Sequence, residues 1–195
     1  MSKITKVSKS RKEHKCNKCN KLIPIGSSYL RANMKFGPSI IRCNDCGLEP
    51  WEATTSEWTR NTGYIINRWR EFADATQTGI DEICSMIDDI CYDENEKYSN
   101  LPEQLQYADI GTLLEERISA CENAQSELES IDIDGLKDYV LNEFLNEYEL
   151  EQDMDYEAAL VYLNHNDYAR YNEIQNELKT AIENEIDSAL SYLEV

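Results

Sequence analysis

Two histidines, His14 and His165, are all that this 195-residue chain carries. It has no glycine-rich phosphate loop and no nucleophile beside a recognisable base. General acid–base and nucleophilic catalysis lack their usual parts, so an enzyme is the class least favoured. Long apolar runs are missing too. No stretch approaches the ~20 consecutive apolar residues that a membrane span needs. The N-terminus, Met1 to Lys15, is basic and polar and has no apolar core of a secretory signal. The expectation is a cytoplasmic protein that stays where it is made, with no membrane partner. Proline is scarce and lopsided: Pro24, Pro38 and Pro50 lie early, Pro102 follows, and none comes after it. The early part therefore reads as turns and short strands, and the rest as helix.

Cysteine is present in an odd number, seven. A secreted disulfide framework would show an even number spread along the chain, so these thiols read as reduced. Four of them form two Cys-x-x-Cys pairs, Cys16-Asn-Lys-Cys19 and Cys43-Asn-Asp-Cys46, with 23 residues between. Two intervening residues make a tight knuckle whose sulfurs converge on one point. Two knuckles complete a closed tetrahedral set, so one structural Zn2+ is expected on Cys16, Cys19, Cys43 and Cys46. His14 stands near enough to compete, but four thiolates leave it no position. The interval suits a zinc ribbon or a treble-clef-like finger. Tyr29-Leu30-Arg31 and Ile40-Ile41-Arg42 read as a hairpin around the turn Lys35-Phe36-Gly37-Pro38, and Gly26 closes the turn after the first knuckle.

Charge divides the chain. Residues 1–42 hold eleven lysines and arginines against Glu13 alone, a net +10, whereas the remaining residues carry 8 basic and 37 acidic side chains, −29. The overall −19 hides a cationic head on an anionic body. The divisions expected are 1–52, a basic zinc-binding module built on the four paired cysteines; 53–131, a long helical hairpin; and 132–195, an acidic helical region. The fold class is mainly α with a small β zinc module.

Within the body, Thr54-Thr55-Ser56-Glu57 offers helix-capping chemistry ahead of Ile65, Ile66, Trp69 and Phe72. Gly79 is expected to break or kink that helix. Ile80, Ile83, Cys84, Ile87, Ile90 and Cys91 recur at three and four, the clearest amphipathic stretch. Asp93 to Asn100 read as a polar connection, Leu101-Pro102-Glu103 as a new helix start interrupted near Gly111, and Leu114, Ile118, Cys121, Leu128 and Ile131 as the returning stripe. That pair forms an antiparallel hairpin with Cys84, Cys91 and Cys121 inward. Three further helices follow. Asp134 would cap the one carrying Leu136, Tyr139, Val140, Phe144 and Tyr148. Asp155 would cap a short one, Tyr156 to Leu163. Asn166 or Asp167 would cap a long one with Tyr171, Ile174, Leu178, Ile182, Ile186, Leu190 and Leu193, and His165 sits at the turn before it. The acidity of this long helix speaks against a DNA-reading helix-turn-helix.

The run from Cys16 through Leu22-Ile23-Pro24-Ile25-Gly26, Tyr29 and Lys35-Phe36-Gly37-Pro38 to Ile41-Arg42-Cys43 resembles the zinc fingers of small phage-encoded proteins. Those fingers are likened to the poly(ADP-ribose) polymerase type, which has a histidine where this chain has Cys43. Asn100-Leu101-Pro102-Glu103-Gln104-Leu105-Gln106, with Gly111 and Leu114-Glu115-Glu116-Arg117-Ile118, is similar to a hairpin that follows such fingers. The resemblance covers roughly residues 10–131. It implies a phage origin and a zinc-stabilised binding role, and it names no substrate. The function expected is a non-enzymatic adaptor or regulator. Its acidic body would engage a host or phage nucleic-acid-processing protein. The alternative is nucleic-acid binding through Lys12, Lys15, Lys18, Lys21, Arg31, Lys35 and Arg42, with Tyr29 and Phe36 stacking on bases. Homo-oligomers joined head to body form a third expectation.

Overall fold

A computed structural model describes residues 3–194 apart from 36 and 149–155. The protein is mainly helical, with small antiparallel sheets and a four-cysteine cluster near the N-terminus. It divides into two compact units, Met1–Tyr64 and Ile65–Val195.

In the first unit, β1 (Ile4–Val7), β4 (Tyr29–Ala32) and β5 (Ile40–Arg42) form one antiparallel sheet in the order β1-β4-β5. A two-stranded ribbon joins β2 (His14–Lys15) to β3 (Leu22–Ile23). The expected hairpin is β4–β5. Its turn residue Phe36 lies outside the described residues. Strand β1 escapes sequence reading because Ile-Thr-Lys-Val is short and half polar, as suits an edge strand. Opposed residues share a face of the sheet. Ile4, Ala32 and Ile40 are in register on one face and pack with Leu48 and Ala53. On the other face Val7 opposes Tyr29, and both pack with Ile41, Ile23, Cys16, Cys43 and Cys46. A thin sheet thus separates two small cores, and the cysteines belong to one of them.

A 3-10 turn, Pro50–Glu52, leads from the sheet to α1 (Glu57–Phe72). Glu49 N–H donates to Glu52 Oε2 at 3.0 Å, fixing that turn. Ser56 Oγ accepts from the Thr59 N–H at 3.2 Å, the expected cap. Trp51 packs so closely that a Cβ on Gly63 would stand 2.3 Å from the Trp51 Cβ.

The second unit contains the end of α1, then α2 (Gln77–Ser99), α3 (Glu103–Gln106), α4 (Asp109–Glu129), α5 (Ile133–Tyr148), α6 (Tyr156–Asn166) and α7 (Tyr168–Leu190). Cross-helix bonds give the direction of α2 and α4. Tyr98 meets Glu115, Glu94 meets Arg117, and Asp88 meets Gln125. One partner's number falls as the other's rises, so the helices are antiparallel, as expected. Ile80, Ile83, Ile87 and Ile90 are buried, as are Leu114, Cys121, Ala124 and Leu128; Cys84 and Cys91 are half-buried. Ile174, Leu178, Ile182, Ile186, Leu190 and Leu193 make the buried stripe of α7 and the turn after it. Trp69 Nε1 donates to Asp187 Oδ1 at 2.9 Å, and Arg70 lies over the Trp69 ring while pairing with Asp187 at 2.7 Å.

Four expectations change. Residues 93 to 99 are helical, because only Glu94 of that polar run turns inward, and there it finds two cations. The helix break expected at Gly79 falls earlier, at 73–76, whereas the interruption expected near Gly111 is present, at Tyr107–Ala108. Both glycines lie instead in the first turn of the next helix, packed against the chain that turns into it. A Cβ there would stand 1.9 Å from the Asp74 carbonyl oxygen, or 2.0 Å from that of Gln106. Asp132, not Asp134, caps α5, since its Oδ1 accepts from the Gly135 N–H at 2.9 Å. Tyr139 is exposed, off the inner stripe. Asp155 and the side chains of Phe144 and Tyr148 lie outside the described residues. Asp167 caps α7 as expected, accepting from the Arg170 N–H, and His165 Nδ1 lies 2.8 Å from the Val161 carbonyl in the last turn of α6.

Glu94 is 1% exposed and shared by Lys97 at 2.7 Å and Arg117 at 3.1 Å. Replacing only the carboxylate removes what both cations neutralise, at a cost of about 3 kcal/mol, whereas replacing Glu94 and Arg117 together by leucine recovers most of that loss. Urea unfolding of Glu94→Leu and of the double variant measures both.

Candidate metal centre

Each knuckle rests on the same local device. The residue after its second cysteine adopts a left-handed backbone, Asn20 at φ 60° and Gly47 at φ 65°. This curls the chain back so that the Asn20 N–H donates to the Cys16 carbonyl at 3.0 Å. Asparagine and glycine are the residues that tolerate that conformation best. The residue after each first cysteine is also asparagine, and it ties its knuckle to another part of the module. Asn17 Oδ1 accepts from the Ile41 N–H at 2.6 Å while its own N–H donates to the Ile41 carbonyl at 2.8 Å. Asn44 Nδ2 donates to Ser28 Oγ at 2.7 Å. Lys21 then pairs with Asp45 across the knuckles at 2.7 Å. The repeated Cys-Asn-x-Cys was visible in the sequence; its cross-bracing role was not.

The four Sγ atoms lie within 4.8 Å of one another, and those of Cys19 and Cys43 are 3.8 Å apart. A disulfide would need about 2.05 Å. Sulfurs about 2.3 Å from a central ion at tetrahedral angles stand about 3.8 Å apart, so the donor set fits a four-coordinate metal. Cys16 and Cys43 are buried, Cys46 is half-buried and Cys19 is exposed. Burial pushes the Cys16 thiol up, but N–H groups of Cys19, Cys43 and Lys18 outweigh it and bring it down to about 6. Cys46 is pushed up to about 12 by hydrogen bonds with Cys19 and Cys43 and by its own burial. One easily ionised thiol beside one that resists is what crowded sulfurs give without a cation, and a divalent ion between them allows all four to ionise. His14 stays out of the set. Its ring packs on Tyr29 at 4.8 Å.

The basic residues of the module divide in two. Arg42 lies 3.5 Å from Glu52, both side chains largely covered, and Arg31 donates to Ser39 at 3.1 Å. Lys21 is held by Asp45, and Lys35 is exposed but also engaged. By contrast Lys3, Lys6, Lys9, Arg11, Lys12, Lys15 and Lys18 are exposed, and none makes a side-chain ion pair among the described residues. Tyr29, expected to stack on bases, is buried beside the cysteines at 4% exposure, and Phe36 lies outside the described residues.

The second unit behaves oppositely. Its seven cations, Arg68, Arg70, Lys97, Arg117, Lys137, Arg170 and Lys179, each pair with a carboxylate of that unit. Its surplus charge is therefore all carboxylate. No described helix is long and apolar enough to cross a membrane. Comparison with family models, curated proteins and solved structures finds no match to this chain.

Removing a hydrogen bond that orients metal ligands lowers metal affinity by about 10- to 100-fold. Asn17→Ala and Asn44→Ala should each do so, as read by competition with a chromophoric chelator. Unchanged affinity in both would show that these asparagines brace nothing.

Proposed function

We propose that the ion is a structural zinc and that the protein is a non-enzymatic binding protein. In this reading the zinc-stabilised N-terminal module engages the phosphates of nucleic acid. Four thiolates suit zinc and leave no coordination position open for a substrate. A ribbon describes the module better than a treble clef, because the second knuckle is a turn that ends well before α1 begins at Glu57. The observation that carries the reading is the set of seven exposed cations between Lys3 and Lys18 that make no side-chain ion pair among the described residues. Such side chains displace counterions from a polyanion. With Tyr29 buried, phosphate contact rather than base stacking is the expected mode, and sequence preference should be weak. The resemblance of the run from Cys16 to Cys43 to phage-encoded fingers would imply the same zinc-held binding role.

A second reading rests on the self-neutralised cations of the body. Its remaining carboxylates would face a basic protein, such as a host or phage nucleic-acid enzyme, and present a charge pattern like that of DNA. Competition by DNA for such a captured partner separates mimicry from ordinary solvation.

Fluorescence anisotropy with labelled mixed-sequence oligonucleotides tests the first reading. Affinity should fall linearly with salt on logarithmic axes, and Lys12→Ala should reduce the slope by about 1. No binding at the lowest salt would refute it.

A further inference from the structure

Two exposed apolar patches lie in surroundings of opposite charge. On the zinc module, Leu22 is 57% and Ile25 66% exposed. Leu22 stands directly opposite Lys15 in the β2–β3 ribbon. Backbone bonds from Ser10 to Ser27 and from Gly26 to Ser10 bring the segment carrying Arg11 and Lys12 alongside Ile25. In the helical unit, the elbow between α3 and α4 shows Leu105 at 44%, Tyr107 at 84% and Ile110 at 43% exposure. Glu103 and Asp109 flank these residues, and no lysine or arginine occurs from residue 98 to 116. The elbow is rigid. Gly111 packs on the Gln106 carbonyl, Gln106 Nε2 donates to the Leu101 carbonyl at 3.1 Å, and Ala108 N–H donates to that of Leu105 at 3.2 Å.

We infer that these patches are the two sides of one interface, the ribbon face of one molecule docking on the elbow of a second copy. Each patch offers apolar side chains that water solvates poorly, and each carries the charge that the other lacks. Elbow against elbow would oppose like charges, and so would ribbon against ribbon. The rigid elbow has little ordering entropy to lose, and an exposed tyrosine among aliphatic residues is a frequent anchor of interfaces. Net charge of −19 makes copies repel at long range, but at physiological salt that repulsion is screened within about 8 Å. Facing charges then decide. Because the two patches differ, the contact is heterologous and propagates into rings or chains. It does not depend on nucleic-acid binding.

Sedimentation velocity of the full metal-loaded chain tests this. At physiological salt the wild type should grow from monomer to dimer and longer species with concentration, and return to monomer in high salt. Lys12→Glu with Leu22→Ser blocks the ribbon side, and Glu103→Lys with Tyr107→Ala blocks the elbow. Each double variant alone should lose at least about tenfold in self-affinity. Mixed together they should form one-to-one dimers and nothing longer, since one intact ribbon then meets one intact elbow. A wild type that stays monomeric at every concentration overturns the inference, and so does self-association that mixing fails to restore. If Leu22→Ser lowers the bound metal, Ile25→Ser replaces it in the same mixture.

Discussion

Four sulfur atoms held within 4.8 Å of one another, with no bond between them, are the constraint from which the N-terminal unit follows. Five short strands enclose two small cores, one of them built largely around Cys16, Cys43 and Cys46. So little apolar burial cannot by itself offset the chain entropy of the N-terminal unit. A shared cation on the four cysteines would supply the missing cohesion, because binding energy at such a site is folding energy. The Asn17 and Asn44 tethers carry that cohesion outward to β5 and to the segment before β4. Arg42 and Glu52 extend it to the turn ahead of α1.

The helical unit is held by apolar stripes. Isoleucines at three- and four-residue spacing along α2 meet Leu114, Cys121, Ala124 and Leu128 of α4, and the α7 stripe adds a second apolar surface. Its electrostatics are arranged inward. Every lysine and arginine has a carboxylate partner within the unit, from the buried Glu94 triad to exposed pairs such as Lys137 with Asp134. What remains outward is negative. In the four-cysteine module, Arg42 and Lys21 hold structure together, while the exposed cations from Lys3 to Lys18 make no side-chain ion pair among the described residues. Each unit pairs charges internally, and the surplus left over is positive on the first and negative on the second.

Periodicity made much of this legible. Stripes in α2, α4 and α7, the β4–β5 hairpin, the Ser56 and Asp167 caps and the converging cysteines all follow from spacing and residue type. Where reading failed, a tertiary contact had overruled local composition. Asp93 to Ser99 look like a loop until Glu94 is seen to be neutralised from the neighbouring helix by Arg117. Gly79 reads as a break, yet it serves a sharp turn completed before it, where only a hydrogen fits beneath a carbonyl. Tyr29 looked available to bases, but pairing with Val7 and packing on Ile23 place it inside. Strand β1 gave no signal of its own, since its order comes from lying against β4.

X-ray absorption at the zinc edge on purified protein tests the central claim most directly. Four sulfur ligands at about 2.3 Å, with one ion per chain, is the result expected. A shell containing nitrogen or oxygen, or a folded N-terminal unit that carries no stoichiometric metal, would contradict it.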